Sequence, residues 1–403
     1  MLRRALIFTH RYLGIPLSFL FVLWFVTGIP MIYVGGMPAL SAQARLERLP
    51  ALDLAAVRYT PSAAAAQAAS GFGRVSLTTV QSRPAYRFAS PYGTATVFAD
   101  NNEPLDEIDV DAAREVAAEF LSAPATSIEL ERTLERVDQW TLQMSRDLPL
   151  HKFTVDDGAG TEVYVSPHSG EVRLVTTTKT RTLAWIATIP HWFYITPLRT
   201  NQPLWYWTVV VTSALGCVLA ILGLVLGVTQ FHKSTPFRWS AAVRYQGWMR
   251  WHYISGAFFG LFALTWVFSG LLSMEPFDWT NADSLEISND ALTGGPVELA
   301  QFPAFDATLW EGLLSGRTLK ELEFRRIDDA PYYLGRYTRA AAQPDPHRER
   351  LHQPYPIAGR AEPQHMLVDA RTLTERTEPF PAETLVARLR AAAPGAHVVA
   401  EDL

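Results

Sequence analysis

Hydrophobic residues are concentrated in three long stretches of the chain, at Tyr12–Val34, Trp205–Thr229 and Tyr253–Met274. None of these stretches contains a lysine, arginine, aspartate or glutamate. Because a helix rises about 1.5 Å per residue, about 20 apolar residues cross the hydrocarbon core of a membrane. The pattern therefore predicts three membrane-spanning helices. We expect the first to be a retained anchor, since the apolar region of a signal peptide is shorter.

Basic residues cluster before the first stretch and between the second and third. They are Arg3, Arg4, Arg11, Lys233, Arg238, Arg244 and Arg250. Short loops rich in lysine and arginine stay in the cytoplasm, so both clusters place the N-terminus inside. Membrane lipid is therefore expected around the helices, and the large segments are expected on the outer, non-cytoplasmic side.

This orientation divides the chain into seven predicted segments. They are a first spanning helix (1–35), an outer α+β module (36–183), an interfacial segment (184–204), a second spanning helix (205–230), a cytoplasmic loop (231–251), a third spanning helix (252–275) and a second, incomplete outer module (276–403). The predicted fold class is a membrane α-helical bundle with extracytoplasmic α+β modules.

Short alternating segments of the first outer module predict strands, and one segment with helical spacing predicts a helix. The strands are 75–80, 85–88, 95–100, 153–155, 162–166 and 171–176; the helix is 111–121, and the alanine-rich 62–70 is expected to form a shorter one. The net charge of −5 argues against a nucleic-acid partner. Cys217 is the single cysteine, which excludes disulfides and thiolate metal sites within the chain.

The first and third hydrophobic stretches share a pattern, H-x3-G-x9-W-x2-[ST]-G. It begins at His10 in the first and at His252 in the third, and the offsets of the later positions agree. This favours two parallel repeats. In the outer modules, Pro84–Phe88 before Val97–Asp100 would correspond to Pro331–Leu334 before Met366–Asp369. A complete second repeat would end in further strands and a fourth helix, so we expect a truncated chain or a degenerate second half.

His10 and His252 are the sharpest site prediction. Each lies at the cytoplasmic start of its helix, with a glycine four residues later that allows close approach. Two facing imidazoles can supply both axial ligands of a b-type haem. The alternative is that interfacial histidines only bind head groups or loops. The glycines of the repeat, Gly14, Gly28, Gly256 and Gly270, are better explained by helix packing.

His191 lies in an aromatic segment before the second spanning helix. It could bind a second haem on the outer side, with its partner ligand in the expected fourth helix, or belong to a helix on the membrane surface. The other histidines match no zinc motif, and the chain contains no catalytic triad order, phosphate loop or H-E-x-x-H.

Several specific segments carry a resemblance to a known family. They are His10–Gly14 with Trp24 and Thr27-Gly28, Asp138-Gln139-Trp140-Thr141, Tyr164–Ser166 with Ser169–Val172, His191-Trp192 with Leu198-Arg199, and Trp251-His252 with Ser269–Met274. On these the chain resembles the PepSY-associated transmembrane proteins, which include iron-regulated members and siderophore reductases. The resemblance implies b-type haems between the helices, with His10 and His252 at an inner haem and His191 at an outer one. It also implies that electrons pass outward to a ferric siderophore.

Two functions from different classes follow from these observations. The preferred one is a haem-b electron carrier that takes electrons from a cytoplasmic or quinol donor and reduces a ferric siderophore or another iron chelate in the periplasm. No side chain is expected to act as a general acid or base. The alternative is a non-enzymatic sensor or regulator of periplasmic peptidases, for which the histidines are packing residues. A transporter is disfavoured because the spanning helices lack charged residues.

Overall fold

The computed structural model describes residues 1–68, 71–90, 93–232, 243, 245–278, 293–339 and 364–393. The chain divides into two compact units. The first, which we call the bundle, comprises residues 1–34 and 184–284; the second, the sheet body, comprises residues 35–183 and 285–403. Each unit is thus assembled from two separate parts of the sequence.

Three helices of the described chain are long and apolar enough to cross a membrane, as the hydrophobic pattern predicts. They are α1 (Leu2–Val34), α8 (Gln202–Thr229) and α9 (Gly247–Leu272). The first begins ten residues before the apolar stretch, so His10 and the neighbouring arginines are helical. At 1.5 Å per residue α1 is about 50 Å long, which exceeds a hydrocarbon core of about 30 Å.

Three short helices lead into α8. They are α5 (Thr178–Ile186), α6 (Thr188–Trp192) and α7 (Thr196–Arg199). Phe193 ends α6 in a left-handed backbone conformation, which turns the chain before α7. Arg199 then stacks on Tyr194 and Trp205, 5.0 and 4.5 Å from the two ring centres. The interfacial segment predicted at 184–204 is therefore a series of helical turns with an aromatic surface.

The sheet body contains two antiparallel sheets. The larger has the strand order β11-β10-β9-β8-β1-β2-β3 and the smaller β4-β5-β6-β7. Their bounds are β1 Arg74–Val80, β2 Arg83–Ser90, β3 Gly93–Phe98, β4 Ile128–Leu134, β5 Leu150–Val155, β6 Thr161–Ser166, β7 Glu171–Thr176, β8 Arg317–Ile327, β9 Ala330–Arg339, β10 Gln364–Asp369 and β11 Glu375–Arg376. The helices are α2 Ala42–Arg48, α3 Pro61–Ala65, α4 Val110–Leu121, α10 Ala307–Leu314 and α11 Ala382–Ala392.

The predicted strands of the first module are confirmed, with one omission. Strand β4 was not predicted, because a register shift between Leu130 and Arg132 breaks its alternation and charged residues fill the break. The predicted helix is α4, which Asp109 caps by accepting a hydrogen bond from the Ala112 amide at 2.8 Å. The alanine-rich helix is shorter than expected and ends at Ala65; residues 69 and 70 lie outside the described residues.

The two segments that the sequence analysis predicts to lie outside form one continuous sheet through the pairing of β1 with β8. Tyr86 pairs with Val97 in the first half, and Tyr333 pairs with Val368 in the second. Each third strand also ends in the same way, since Ala99 donates its amide to the Pro84 carbonyl at 2.8 Å and Ala370 to Pro331 at 3.0 Å. This register aligns Val97 with Val368, two residues away from the alignment that the sequence indicates.

The two halves of this sheet are therefore related by an approximate two-fold axis. The alignment makes Ser76 equivalent to Glu323, and these residues pair directly with each other in the β1–β8 ladder. The repeat extends to the helix after the third strand, α4 in the first half and α11 in the second. The segment boundaries assigned from the sequence stay predictions, while the sheet unites two of those segments in one hydrophobic core.

A cluster of ion pairs lies between the two sheets. The carboxylate of Glu171 on β7 accepts hydrogen bonds from Arg45 at 2.7 Å and pairs with Arg87, while Arg45 also donates to Glu321 at 2.9 Å. Glu323 is fully buried and accepts from Arg74 at 2.9 Å and Arg336 at 2.8 Å. Burial by itself would raise the pKa of Glu171, but the charges of Arg87 and Arg45 lower it to about 2.

Candidate functional site

The first repeat position brings His10 of α1 next to His252 of α9. Their ring centres are 6.2 Å apart. Fourteen residues later in each helix, Trp24 and Trp266 are also 6.2 Å apart and meet edge to face. Fourteen residues of helix rise about 21 Å. The two repeats thus face each other through equivalent residues at two levels. We call the level of His10 and His252 the His10 end. We call the level of Trp24 and Trp266 the His191 end, because His191 lies next to Trp266.

The imidazole of His10 is oriented by α8. Its Nδ1 lies 3.3 Å from the carbonyl oxygen of Leu219, so Nε2 is the ring nitrogen that stays available for a ligand. One turn further along α8, a side-chain Cβ at Gly223 would lie 3.0 Å from Cε1 of His10. Glycine at 223 is therefore required for this close approach. Neither Leu219 nor Gly223 was predicted, because the repeat pattern does not include α8.

A groove of about 890 Å³ extends from His252 toward Trp266 along α9. Its walls are small or aromatic, namely Phe25, Ser255, Gly256, Phe259, Gly260, Phe262, Ala263, Thr265 and Ser269. Gly256 has nothing within 4 Å of an added Cβ, whereas Gly260 packs against Leu224. Of the repeat glycines assigned to helix packing, Gly14 lies against Leu219, and Gly256 instead leaves space in the groove.

The distance between the His10 and His252 rings agrees with that expected of two imidazoles on one haem iron, and His252 also lines the groove. Two imidazoles that bind one iron from opposite sides have ring centres roughly 6 Å apart, because an imidazole–metal bond is about 2 Å long and adds to about 1 Å within each ring. Metal-binding histidines usually donate the other ring N–H to a carbonyl, as Leu219 allows for His10. The described residues hold no group of three or more histidine, cysteine or carboxylate side chains for another metal. His10 and His252 are thus the residues that would hold the iron.

His191 lies at the other end of the bundle, away from this pair. Its Nδ1 is 3.1 Å from the hydroxyl of Thr27, which itself donates to the Leu23 carbonyl at 2.7 Å. Nδ1–H is therefore the donor in the first contact, and Nε2 is left as an acceptor. Gly28 makes room for the ring, since a Cβ there would lie 3.0 Å from Cε1. In the first repeat, Thr27 and Gly28 therefore position the His191 ring.

A second cavity, of about 290 Å³, adjoins His191. Its walls combine aromatic and small polar residues, namely Trp24, Trp192, Tyr194, Trp205, Val209, Ser213, Trp266, Val267, Ser269, Gly270, Ser273 and Met274. His191 supplies the one imidazole among these lining residues. The structure therefore brings His10 and His252 together, and it places the third predicted ligand in a separate and smaller space.

The remaining motifs are structural in the described chain. Asp138 of the Asp-Gln-Trp-Thr segment accepts hydrogen bonds from the amides of Trp140 and Thr141 at 2.9 and 3.0 Å and from the Tyr164 hydroxyl at 3.1 Å. This segment is thus a turn fixed to β6. His151 is buried with Nδ1 2.9 Å from the Thr133 hydroxyl. His347, His352 and His397 lie outside the described residues.

Comparison with known proteins identifies the family. The model of the PepSY-associated TM region matches residues 8–398, which include the bundle and the sheet body. No curated protein and no solved structure matches the chain. Because the match covers nearly the whole sequence, the chain belongs to the family of the PepSY-associated TM region.

Proposed function

We propose that the protein is a haem-b-containing membrane electron carrier. The observation that carries this proposal is the 6.2 Å separation of the His10 and His252 rings, next to a groove of about 890 Å³. Pockets of roughly 300–1,000 Å³ accommodate ligands of substantial size. An apolar groove lined by glycine and aromatic side chains suits a flat macrocycle. His252 lines this groove, and His10 lies next to His252 as the second imidazole.

The residues of the bundle would bind and orient the group. The Leu219 carbonyl fixes the His10 ring, and Gly223 lets that ring approach α8. A bis-histidine haem supplies one-electron transfer, with a potential set by its ligands and surroundings. No side chain of the groove needs to act as an acid or base for this task.

Orientation and reaction partners complete the proposal. Arg3, Arg4 and Arg11 lie at the His10 end of α1, so this end would face the cytoplasm of a bacterial inner membrane. A donor at the membrane or in the cytoplasm would reduce the haem, and a ferric siderophore or another ferric chelate in the periplasm would be the acceptor. This would make the protein a candidate ferric-chelate reductase.

The proposal is limited to one haem. A second haem at His191 would need another ligand, and the described residues that line the cavity there contain no second imidazole. The alternative function, a sensor or peptidase regulator, requires no cofactor at either position. It serves as the competing outcome of the experiment below.

The test is an absorption spectrum of the detergent-purified protein, before and after reduction with dithionite. We expect a sharp b-type band in the wild type that is lost in His10→Ala and in His252→Ala. His365→Ala is the matched control, since His365 is exposed on β10 of the sheet body. A folded wild-type protein that stays colourless after expression in haem-replete cells would overturn the proposal and favour the sensor.

A further inference from the structure

The cavity beside His191 differs in size and chemistry from the groove beside His252. Its volume of about 290 Å³ is about one third of the groove's 890 Å³. Four tryptophans and one tyrosine line it, compared with one tryptophan in the groove. A space of this size suits one or two fused rings with small substituents and is too small for a macrocycle.

The aromatic walls of this cavity are held in fixed positions. Trp266 contacts Trp24 at 6.2 Å and His191 at 6.5 Å between ring centres. On the other side, Trp205 donates its indole N–H to the Trp192 carbonyl at 2.8 Å. Because that N–H is already bonded, Trp205 presents its apolar ring surface to the cavity. Rings held in this way favour a flat, conjugated ligand that can stack or meet them edge to face.

Polar groups of both kinds converge on the same space. Nε2 of His191 is an acceptor, because Nδ1 donates to Thr27. Ser213 of α8 lines the cavity with 3% of its surface exposed, and its hydroxyl makes no hydrogen bond to any other described residue. This hydroxyl is therefore available to donate to a ligand oxygen in the cavity. The site therefore offers one fixed acceptor and one free donor.

Residues of α9 form another side of the cavity. Ser269 and Ser273 donate to the carbonyls of Trp266 and Gly270 at 2.7 and 2.8 Å, so their oxygens can only accept further bonds. Gly270 lies between them and has nothing within 4 Å of an added Cβ. Ser269, Gly270 and Ser273 are exposed, so this side is the opening of the cavity. A ligand dissolved in the membrane could enter here.

We propose that this cavity binds the head group of a membrane quinol. Such a head group is a flat ring with a hydroxyl at each end. One hydroxyl can donate to Nε2 of His191 and the other can accept from Ser213, while the aromatic walls cover the ring. A lipid acyl chain would leave both polar groups unpaired. The proposal goes beyond the proposed function, and the binding itself does not depend on haem.

The test is a titration of the purified full-length protein with decylubiquinol, followed by quenching of tryptophan fluorescence and checked by equilibrium dialysis. We expect saturable binding in the wild type. Gly270→Leu places a side chain at the opening of the cavity and should weaken binding at least tenfold. Ser213→Ala should weaken it roughly fivefold, as the loss of one hydrogen bond predicts. Gly227→Leu is the matched control on α8, since it also has nothing within 4 Å.

Two further measurements separate this inference from the haem proposal. His10→Ala should lose the haem band and retain quinol affinity, whereas Gly270→Leu should retain the band and lose the affinity. Decanol serves as a competitor without a ring. Equal affinity in Gly270→Leu and wild type, or displacement of the quinol by decanol, would show partition into an apolar space and would overturn the proposal.

Discussion

The bundle and the sheet body differ in how they treat buried polar groups. In the bundle, hydroxyls bond to their own helix; Thr208, Thr212 and Ser255 each donate to a carbonyl four residues back at 2.6–2.8 Å. In the sheet body, charged groups are buried in mutual contact, as Glu171 and Glu323 are with their arginines. Hydroxyls bonded to their own helix do not need a partner on another helix. His10 and His191 differ from them, because each places a ring nitrogen against a neighbouring helix.

We infer from this difference that the polar residues of the bundle bind ligands and that those of the sheet body stabilise the fold. The histidines of the bundle contact other helices through one nitrogen and leave the second available. The carboxylates of the sheet body are instead paired with the guanidinium groups around them. We therefore expect substitutions in the bundle to change ligand binding at nearly constant stability, and substitutions in the ion cluster to change stability first.

The largest expected effect is the loss of haem on removal of either paired histidine. His252→Ala should reduce the b-type absorption at least tenfold, because an iron with one remaining axial ligand is bound more weakly. The far-ultraviolet circular dichroism of the whole protein should be unchanged in the same sample. A loss of both signals together would mean that His252 is a structural residue, contrary to the distinction drawn here.

The ion cluster should show the opposite behaviour. Glu171→Gln leaves the buried guanidinium of Arg87 without its carboxylate, which is expected to destabilise the sheet body by about 3–5 kcal/mol. Chemical denaturation followed by circular dichroism measures this change. Glu383→Gln on α11 is a control, as Glu383 is exposed. An unchanged free energy of unfolding would show that the cluster is not needed for stability.

The pH dependence of stability tests the same carboxylate. Its folded pKa, about 2, is below the usual value of a glutamate, so the pair stabilises the fold above the usual pKa. This contribution should decrease as the pH falls from about 4.5 toward 2, since protonation removes the charge. The difference in unfolding free energy between wild type and Glu171→Gln should therefore shrink over that range. A difference that stays constant would contradict the assignment.

A smaller effect is expected where α8 supports His10. Gly223→Ala places a methyl group 3.0 Å from Cε1 of His10, so the ring must shift by a few tenths of an ångström. We expect haem affinity to fall roughly threefold to tenfold, in line with losses seen when groups supporting a ligand are changed. Gly227→Ala, on the same helix with open space, should leave the affinity unchanged. Haem titration of the apoprotein compares the two.

The smallest effect concerns Thr27, whose hydroxyl contacts a neighbouring helix. Thr27→Val removes the hydroxyl that lies 3.1 Å from Nδ1 of His191 and should weaken quinol binding by a factor of about five, the worth of one hydrogen bond. Thr27→Ser keeps the hydroxyl and should restore the wild-type value. If both variants bind equally, the orientation of His191 does not depend on this contact.

Much of the local structure could be predicted because it depends on short-range patterns. Long apolar runs without charge gave the three spanning helices, and alternation gave most strands of the first outer segment. Strand β4 was missed because its register shift interrupts that alternation. In the candidate site, the repeat identified His10 and His252, but it could not identify Leu219 or Gly223, which come from a helix outside the repeat.

The pairing of the two outer segments illustrates what sequence patterns leave open. Similar motifs at Pro84–Phe88 and Pro331–Leu334 indicate related halves, and they do not say whether these halves form two modules or one sheet. The β1–β8 ladder joins them, with Ser76 opposite Glu323. The buried position of Glu323 depends on arginines from β1 and β9, which no local pattern relates.

The sequence by itself determined the membrane helices, the internal repeat and the pair of histidines, because these follow from hydrophobicity and from spacing along one helix. The tertiary structure decided the 6.2 Å approach of the two rings, the roles of Gly223 and Gly28, the cavity beside His191 and the joint sheet. These features depend on which side chains from distant parts of the chain pack together. Such contacts arise from the fold as a whole and leave no periodic signal in the sequence.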